Sequence, residues 1–283
     1  MPEKITLPPV LERYELKYMI PMSYVEPISQ FISPYCQLDY FSTKADDHFY
    51  PVNSLYFDTR NYEFLKQRLW GRHSRFNMRV RTYGDGKNPP YFMEIKHKTG
   101  TYVKKYRADI KEADEWPAIL TDPLYRIAES ESGINRRNKE LFMRLAFTYA
   151  IEPKIYTQYI RRAFFSTVNE YARVTMDRNM KFRPQNIFQN TGDPFDLRPD
   201  DSLTNYDNET IYMVNSWSDA SVILELKCYV GQVPTWMVDL ISFFELKQMA
   251  FSKFVTSSLV SHYENGVGFL RPEGRPNWRD VPG

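Results

Sequence analysis

Residues 91–98, Tyr91-Phe92-Met93-Glu94-Ile95-Lys96-His97-Lys98, decide how this chain folds. In an extended backbone residues two apart share a face. Glu94, Lys96 and Lys98 therefore point one way, and Met93, Ile95 and His97 the other. An ordinary half-buried strand is apolar towards its core and polar towards water. Here the polar face carries charges of both signs, and the pattern recurs in Glu15-Leu16-Lys17, Arg79-Val80-Arg81, Lys105-Tyr106-Arg107 and Glu225-Leu226-Lys227. Cross-strand ion pairing on a solvated sheet explains any single run of this kind. Recurrence in five runs points instead to charged faces that look at one another across a barrel interior, with helices over the apolar exterior.

The surrounding sequence supplies the rest of such a barrel. Strands are predicted at 11–20, 52–58, 75–83, 91–98, 102–110, 154–166, 171–178 and 221–229. Residues 84–90, which include Gly84 and Gly86, make the turn of the clearest hairpin. Asp58-Thr59 reads as the N-cap of a helix that carries Tyr62, Leu65 and Leu69 on one face and stops at Gly71. Further helical stretches are expected after Pro21, over about 112–150, and at about 234–248 and 251–263. Residues 184–210, rich in Asn, Asp, Pro and Thr, read as an irregular excursion. The expected architecture is α+β: a closed antiparallel eight-stranded β-barrel with peripheral helices. It forms one domain over residues 1–263, and residues 264–283 form a poorly ordered extension.

Composition narrows the function classes. The chain has 283 residues, 42% hydrophobic and 25% charged, as expected of a globular fold. Its net charge is only +2, so no bulk electrostatic attraction to nucleic acid or membrane is available. The two cysteines, Cys36 and Cys228, form no framework or CxxC motif, which favours a reducing, cytoplasmic setting. No apolar run follows Lys4 as in a secretory signal, and none approaches the ~18 residues of a membrane span. The Asn208-Glu209-Thr210 sequon carries no meaning in such a setting. There is no phosphate-binding P-loop and no G-x-S-x-G elbow, and His48, His73, His97 and His262 lack metal spacing.

The charged faces are thus the candidate site. They carry Glu15, Lys17, Arg79, Arg81, Glu94, Lys96, Lys98, Lys105, Arg107, Arg161, Arg173, Asp177, Glu225 and Lys227. Unpaired buried charges cost several kcal/mol each, so a lumen lined this way must be wet or hold a compensating ligand. A polyphosphate-like anion suits the excess of cations, Lys98, Arg107 and Lys227 among them. Glu15, Glu94 and Glu225 are candidate ligands of Mg²⁺ or Mn²⁺, ions that favour one or two carboxylates together with phosphate oxygens.

Taken in order, Glu15-Leu16-Lys17-Tyr18, Ser54-Leu55-Tyr56-Phe57-Asp58-Thr59, Arg79-Val80-Arg81 with Tyr83-Gly84, and Glu94-Ile95-Lys96 form a series. Arg161 in Tyr-Ile-Arg-Arg-Ala-Phe, Arg173 in Arg-Val-Thr-Met-Asp, Leu224-Glu225-Leu226-Lys227 and Phe251-Ser252-Lys253-Phe254 continue it. From about residue 11 to 260 the series resembles the vacuolar transporter chaperone (VTC) domain, the polyphosphate polymerase branch of the triphosphate tunnel metalloenzymes, of the CYTH-like superfamily. The resemblance implies an eight-stranded tunnel that binds ATP and a divalent metal and transfers the terminal phosphate of ATP onto a growing inorganic polyphosphate chain. It implies phosphate contacts from Lys17, Arg79, Arg81, Lys96, Lys105, Arg161, Arg173 and Lys253, with Ser252 beside the phosphate chain. The catalytic set is Lys17, Arg79, Arg81, Lys96, Arg161 and Lys253, and Glu225 is the principal metal ligand. Lys105 is preferred over Lys104 because it shares a face with Arg107. ATP and polyphosphate are the implied partners, with no nucleic acid and room for a membrane-protein partner.

Two departures bear on the reaction. Ala250 stands where eukaryotic polymerases of the family often have Lys. Arg13 occupies the place of the first Glu in the E-x-E-x-K strand usual in hydrolytic tunnel enzymes, which moves the reading from hydrolysis towards transfer. A triphosphate hydrolase of the same superfamily, or a polyanion-binding module without catalysis, remain the alternative expectations.

Overall fold

The alternating runs pair into one antiparallel sheet. The computed structural model of the chain describes residues 13–86, 90–100, 102–131, 133–185, 193–205 and 220–264. Among them are ten strands: β1 (Arg13–Pro21), β2 (Cys36–Leu38), β3 (Tyr50–Asp58), β4 (Ser74–Tyr83), β5 (Tyr91–Thr99), β6 (Tyr102–Ile110), β7 (Glu152–Ser166), β8 (Ala172–Pro184), β9 (Thr204–Asn205) and β10 (Ala220–Tyr229). The seven α-helices are α1 (Val25–Ile32), α2 (Tyr40–Lys44), α3 (Glu63–Leu69), α4 (Glu115–Thr121), α5 (Gly133–Tyr149), α6 (Thr235–Phe243) and α7 (Lys253–Glu264). Pro123 follows the end of α4, so the helical stretch expected over 112–150 is two helices. All but the first residue of the extension 264–283, the sequon and much of the 184–210 excursion lie outside the described residues.

The principal sheet runs β1-β10-β8-β7-β3-β4-β5-β6, with β2 added to β7 and β9 to β8. Alternation sorts its side chains as expected. On the outer face, Tyr18, Val174, Met176, Leu224 and Leu226 pack against Val25, Ile28 and Ile32 of α1 and Trp236, Met237 and Leu240 of α6. Further along the sheet, Leu55, Met78, Val80, Met93 and Ile95 pack against Trp116 and Ile119 of α4 and Phe142 and Ala146 of α5. Removing this apolar surface from water drives the assembly at about 25 cal/mol per Å².

Closure of the barrel is the expectation that fails, because the ladder is open between β1 and β6. Both edges are already occupied. Along β1, Tyr18 bridges Gln248 and the Met249 N–H donates to Lys17 O at 2.9 Å. This is also why α6 ends at Phe243 and not at 248: the following residues run along the sheet edge. At β6, Asn135 and Asn138 of α5 take over the role of a partner strand. Asn135 Oδ1 accepts from the Asp109 N–H at 2.7 Å, and its Nδ2 donates to Asp109 O at 3.1 Å. Asn138 Nδ2 donates to Arg107 O at 2.6 Å. Side chains, not backbone, span the seam: Lys96 Nζ of β5 lies 2.5 Å from Glu15 Oε2 of β1.

The concave face is not ionic throughout. Tyr50, Val52, Ile155, Tyr159, Met180, Phe182 and Ile223 form an apolar cluster on it, covered by Phe251 and Val260 from the C-terminal part of the chain. Phe254 of α7 stacks on Tyr56 of β3 with ring centroids 5.2 Å apart. The helix after Asp58 starts later than expected, at Glu63, with Tyr62 in the N-cap position, but Asp58 still holds its first turn. The buried Asp58 carboxylate accepts from the Thr59, Phe64 and Leu65 N–H groups at 2.7–2.9 Å.

Candidate active site

Three ionic clusters occupy the remaining concave face. In the first, Glu94 of β5 accepts from Arg79 Nε at 2.8 Å, and Lys105 Nζ of β6 stands 2.5 Å from its other oxygen. Arg81 approaches to 3.9 Å and also donates to Ser54 Oγ at 3.3 Å, while Arg79 Nη1 donates to the Tyr56 hydroxyl at 2.9 Å. One carboxylate thus serves three cations. Burial pushes the Glu94 carboxyl up, but Lys105, Arg79 and Arg81 outweigh it and hold it well below the carboxylate range. Burial, and after it repulsion from the arginines, pushes Lys105 well below its ordinary value despite Glu94.

In the second cluster Arg161 of β7 grips Asp177 of β8 with both arms of its fork, at 2.6 and 2.8 Å. Lys253 Nζ, at the start of α7, donates to Asp177 Oδ2 at 2.6 Å and lies 4.3 Å above the Tyr159 ring. Burial alone would raise the Asp177 carboxyl, but the two cations bring it below its ordinary range.

The third cluster joins β1 and β10. Glu225 is paired with Lys227 at 2.5 Å and Lys17 at 3.6 Å, and Lys17 Nζ also donates to Phe251 O at 2.8 Å. Burial lowers Lys227 to about 7 in spite of Glu225 and Glu15 beside it. Glu15 is shared between Lys96 and Arg13, whose Nη2 stands 2.8 Å from it. Arg13 is anchored in turn by its Nη1 donating to the Tyr171 hydroxyl at 3.2 Å.

This third cluster opens into a cavity of about 870 Å³ at the seam of the sheet. Glu15, Lys17, Lys96, Lys98 and Ser252 from the sequence-derived set line it, together with Arg13, Arg68 of α3 and Arg75 of β4. Glu15 is the single carboxylate of that lining. No acid pairs with Arg68, Arg75 or Lys98 among the described ion pairs, and Arg75 Nε is buried without a hydrogen-bond partner. Burial lowers Lys98, and Arg75, Arg68 and Lys96 add to the effect.

Other members of the set stand apart from the cavity. Arg107 lies 3.5 Å over the Phe92 ring and reaches Asp109. Arg173 pairs with Asp39, which also accepts from the Tyr50 hydroxyl. Lys105 reaches Glu94, whereas Lys104 is exposed on the other face. Arg68, Arg75, Asp39 and the roles of Asp177 and Arg13 went unread in the sequence. Arg75 shares the parity of Arg79 and Arg81 and could have been found by extending that alternation. No local signal marks Arg68.

Among the described residues no group of three or more His, Cys, Asp or Glu side chains gathers as a metal cage. Mg²⁺ or Mn²⁺ on a phosphate chain does not need one. Glu15 and Glu225 lie on paired strands, one pairing position either side of the Leu16–Leu226 pair. Glu225 is held well below the carboxylate range by Lys227 and Lys17 against its burial, so it is an ionised oxygen donor. These residues fit a divalent ion. Glu94 belongs to the other cluster, on β5 with Arg79 and Lys105, and is not part of this pair.

The chain is thus an antiparallel sheet with helices on its apolar face and, at the seam, a cavity lined by six cations and one carboxylate. The chain belongs to the VTC domain family, whose pattern it matches over residues 12–262. That family is linked to polyphosphate metabolism. No curated protein sequence matches the chain. Among solved structures it is similar to a Bacillus halodurans protein provisionally assigned as an adenylate cyclase, with 10% identity, 87% of this chain and 96% of that chain covered, and a TM-score of 0.46. It is also similar to a Pyrococcus horikoshii protein, with 7% identity, 88% and 98% covered, and a TM-score of 0.39. No described helix is long and apolar enough to cross a membrane.

Proposed function

We propose that the chain is a metal-dependent polyphosphate polymerase that transfers the terminal phosphate of ATP onto a growing inorganic polyphosphate chain. The observation that carries this reading is the charge of the seam cavity: Arg13, Lys17, Arg68, Arg75, Lys96 and Lys98 converge on a space whose lining has one carboxylate, Glu15. A chain of phosphates neutralises such an excess along its length.

Phosphoryl transfer asks the protein for in-line positioning and neutralisation of phosphate charge more than for covalent help. Arg79, Arg81 and Arg161 supply planar forks that match phosphate oxygens, and Lys17, Lys96 and Lys253 supply point charges. Each is held in place by a carboxylate or a main-chain oxygen, so each is oriented before a ligand arrives. Glu225, with Glu15 beside it, would hold the divalent ion, which when bound neutralises charge on the phosphate oxygens. A phosphate-terminated acceptor is ionised at neutral pH, so no side chain has to remove a proton from it. Arg13 ties Glu15 to the wall of the trough, which disfavours its use as a base for water and supports transfer over hydrolysis.

The test is incubation of purified protein with ATP and Mn²⁺, followed by a polyphosphate-stained gel and a free-phosphate assay. Long chains are expected. Free phosphate without chains would make the protein a hydrolase, and unchanged ATP would make it a binding module.

A further inference from the structure

Thr175 sits in the middle of β8, on the same face as Arg173 and Asp177, while Val174 and Met176 enter the outer core. Its partner on β10 is Glu225, and Glu225 in turn faces Lys17 on β1. Lys17, Glu225 and Thr175 therefore form one row across three strands, on the concave face. On the other side Thr175 is opposite Ala163 of β7, whose methyl group offers no polar partner.

Thr175 is 0% exposed, and its Oγ1 has no hydrogen-bond partner among the described residues. Burying a hydroxyl unpaired opposes folding, whereas valine would fill the same place in a strand without that penalty. The donors nearest in the row do not need the oxygen: Lys17 is directed at Phe251 O and Glu225, and Lys227 at Glu225. What the hydroxyl retains is a proton to donate, and phosphate oxygens are acceptors only.

We infer that the Thr175 hydroxyl donates to a phosphate oxygen of the bound chain, next to the oxygens met by Lys17 and by the divalent ion that Glu225 would hold. This inference rests on the phosphate-chain reading above. Thr157, whose hydroxyl is likewise buried without a partner, is opposite Ser54 and Phe182 and has no such row.

Two variants separate a ligand contact from a structural one. Thr175→Val removes the hydroxyl and keeps the branched shape; Thr175→Ser keeps the hydroxyl. Melting of the free proteins and calorimetric titration with inorganic tripolyphosphate and Mg²⁺ are the readouts. Thr175→Val is expected to melt no lower than wild type yet bind tripolyphosphate about ten-fold more weakly, the worth of one hydrogen bond to a charged group. Thr175→Ser is expected to bind within about two-fold of wild type, since its donor is intact. Undiminished binding by Thr175→Val, or a lower melting temperature of that variant without ligand, overturns the inference. Absence of tripolyphosphate binding by the wild type overturns the phosphate-chain reading itself, and the inference with it.

Discussion

Asp177 is the residue on which much of the buried positive charge depends. It is 1% exposed and neutralises both Arg161 and Lys253. Removing one partner of a buried ionic group leaves the others uncompensated, at a cost of about 3–5 kcal/mol. Asp177→Asn is therefore expected to lower the urea midpoint markedly at pH 7. The pH dependence has a definite sign. Because the folded carboxyl lies below its ordinary value of about 3.9, its contribution is complete above that pH and is lost as the pH falls further. The gap between wild type and Asp177→Asn should hold from pH 7 down to about pH 4 and narrow below it, and a gap independent of pH would count against this assignment. Glu225 bears on activity instead. Glu225→Gln keeps the shape but loses the ionised oxygen, so metal-dependent turnover should disappear; a variant that still extends polyphosphate with Mn²⁺ would remove Glu225 from the metal.

At the scale of elements, the open seam depends on what occupies the two sheet edges. An unprotected edge strand presents free N–H and C=O groups to other chains. Asn135 and Asn138 lie three positions apart on α5, on one helical face, and so reach alternate positions of β6 together. Replacing both with Leu should cost about 1–2 kcal/mol in denaturation experiments, for the hydrogen bonds lost, and raise light scattering as the β6 edge is freed. If neither the midpoint nor the scattering changes, the asparagines do not guard that edge. On β1 the guard is residues 248–249, directly before Ser252 and Lys253, so the strap that closes the edge also delivers the start of α7 to the trough.

For the whole molecule, the formal charge of +2 conceals a strong internal separation of charge. Cations crowd the seam cavity and the Glu94 cluster with too few acids, so an anion bound there would relieve their repulsion. Tripolyphosphate at about one hundred times its dissociation constant should stabilise the fold by about 2.7 kcal/mol. A thermal scan should show a rise of several degrees, absent with an equal concentration of chloride and reduced as salt is raised. No shift would mean that the concave charges are satisfied by one another alone.

Which side chains face inward is legible in the sequence alone. Alternation in β1, β4, β5, β6 and β10 is a two-residue property of the backbone, so Lys17, Arg79, Glu94, Lys105 and Glu225 could be assigned to a common face, and Lys105 separated from Lys104, without coordinates. The helix after Asp58 was equally local, because its cap lies within a few residues of it. Tertiary structure alone decided that the barrel stays open, since Asn135 and Gln248 reach their edges from distant parts of the chain. It also decided that Arg68 joins Arg75 at the seam, and that Arg161, Asp177 and Lys253 share one contact. Charge compensation depends on distances between strands, and those are set by register, bulges and the packing of α7, none of which a run of eight residues encodes.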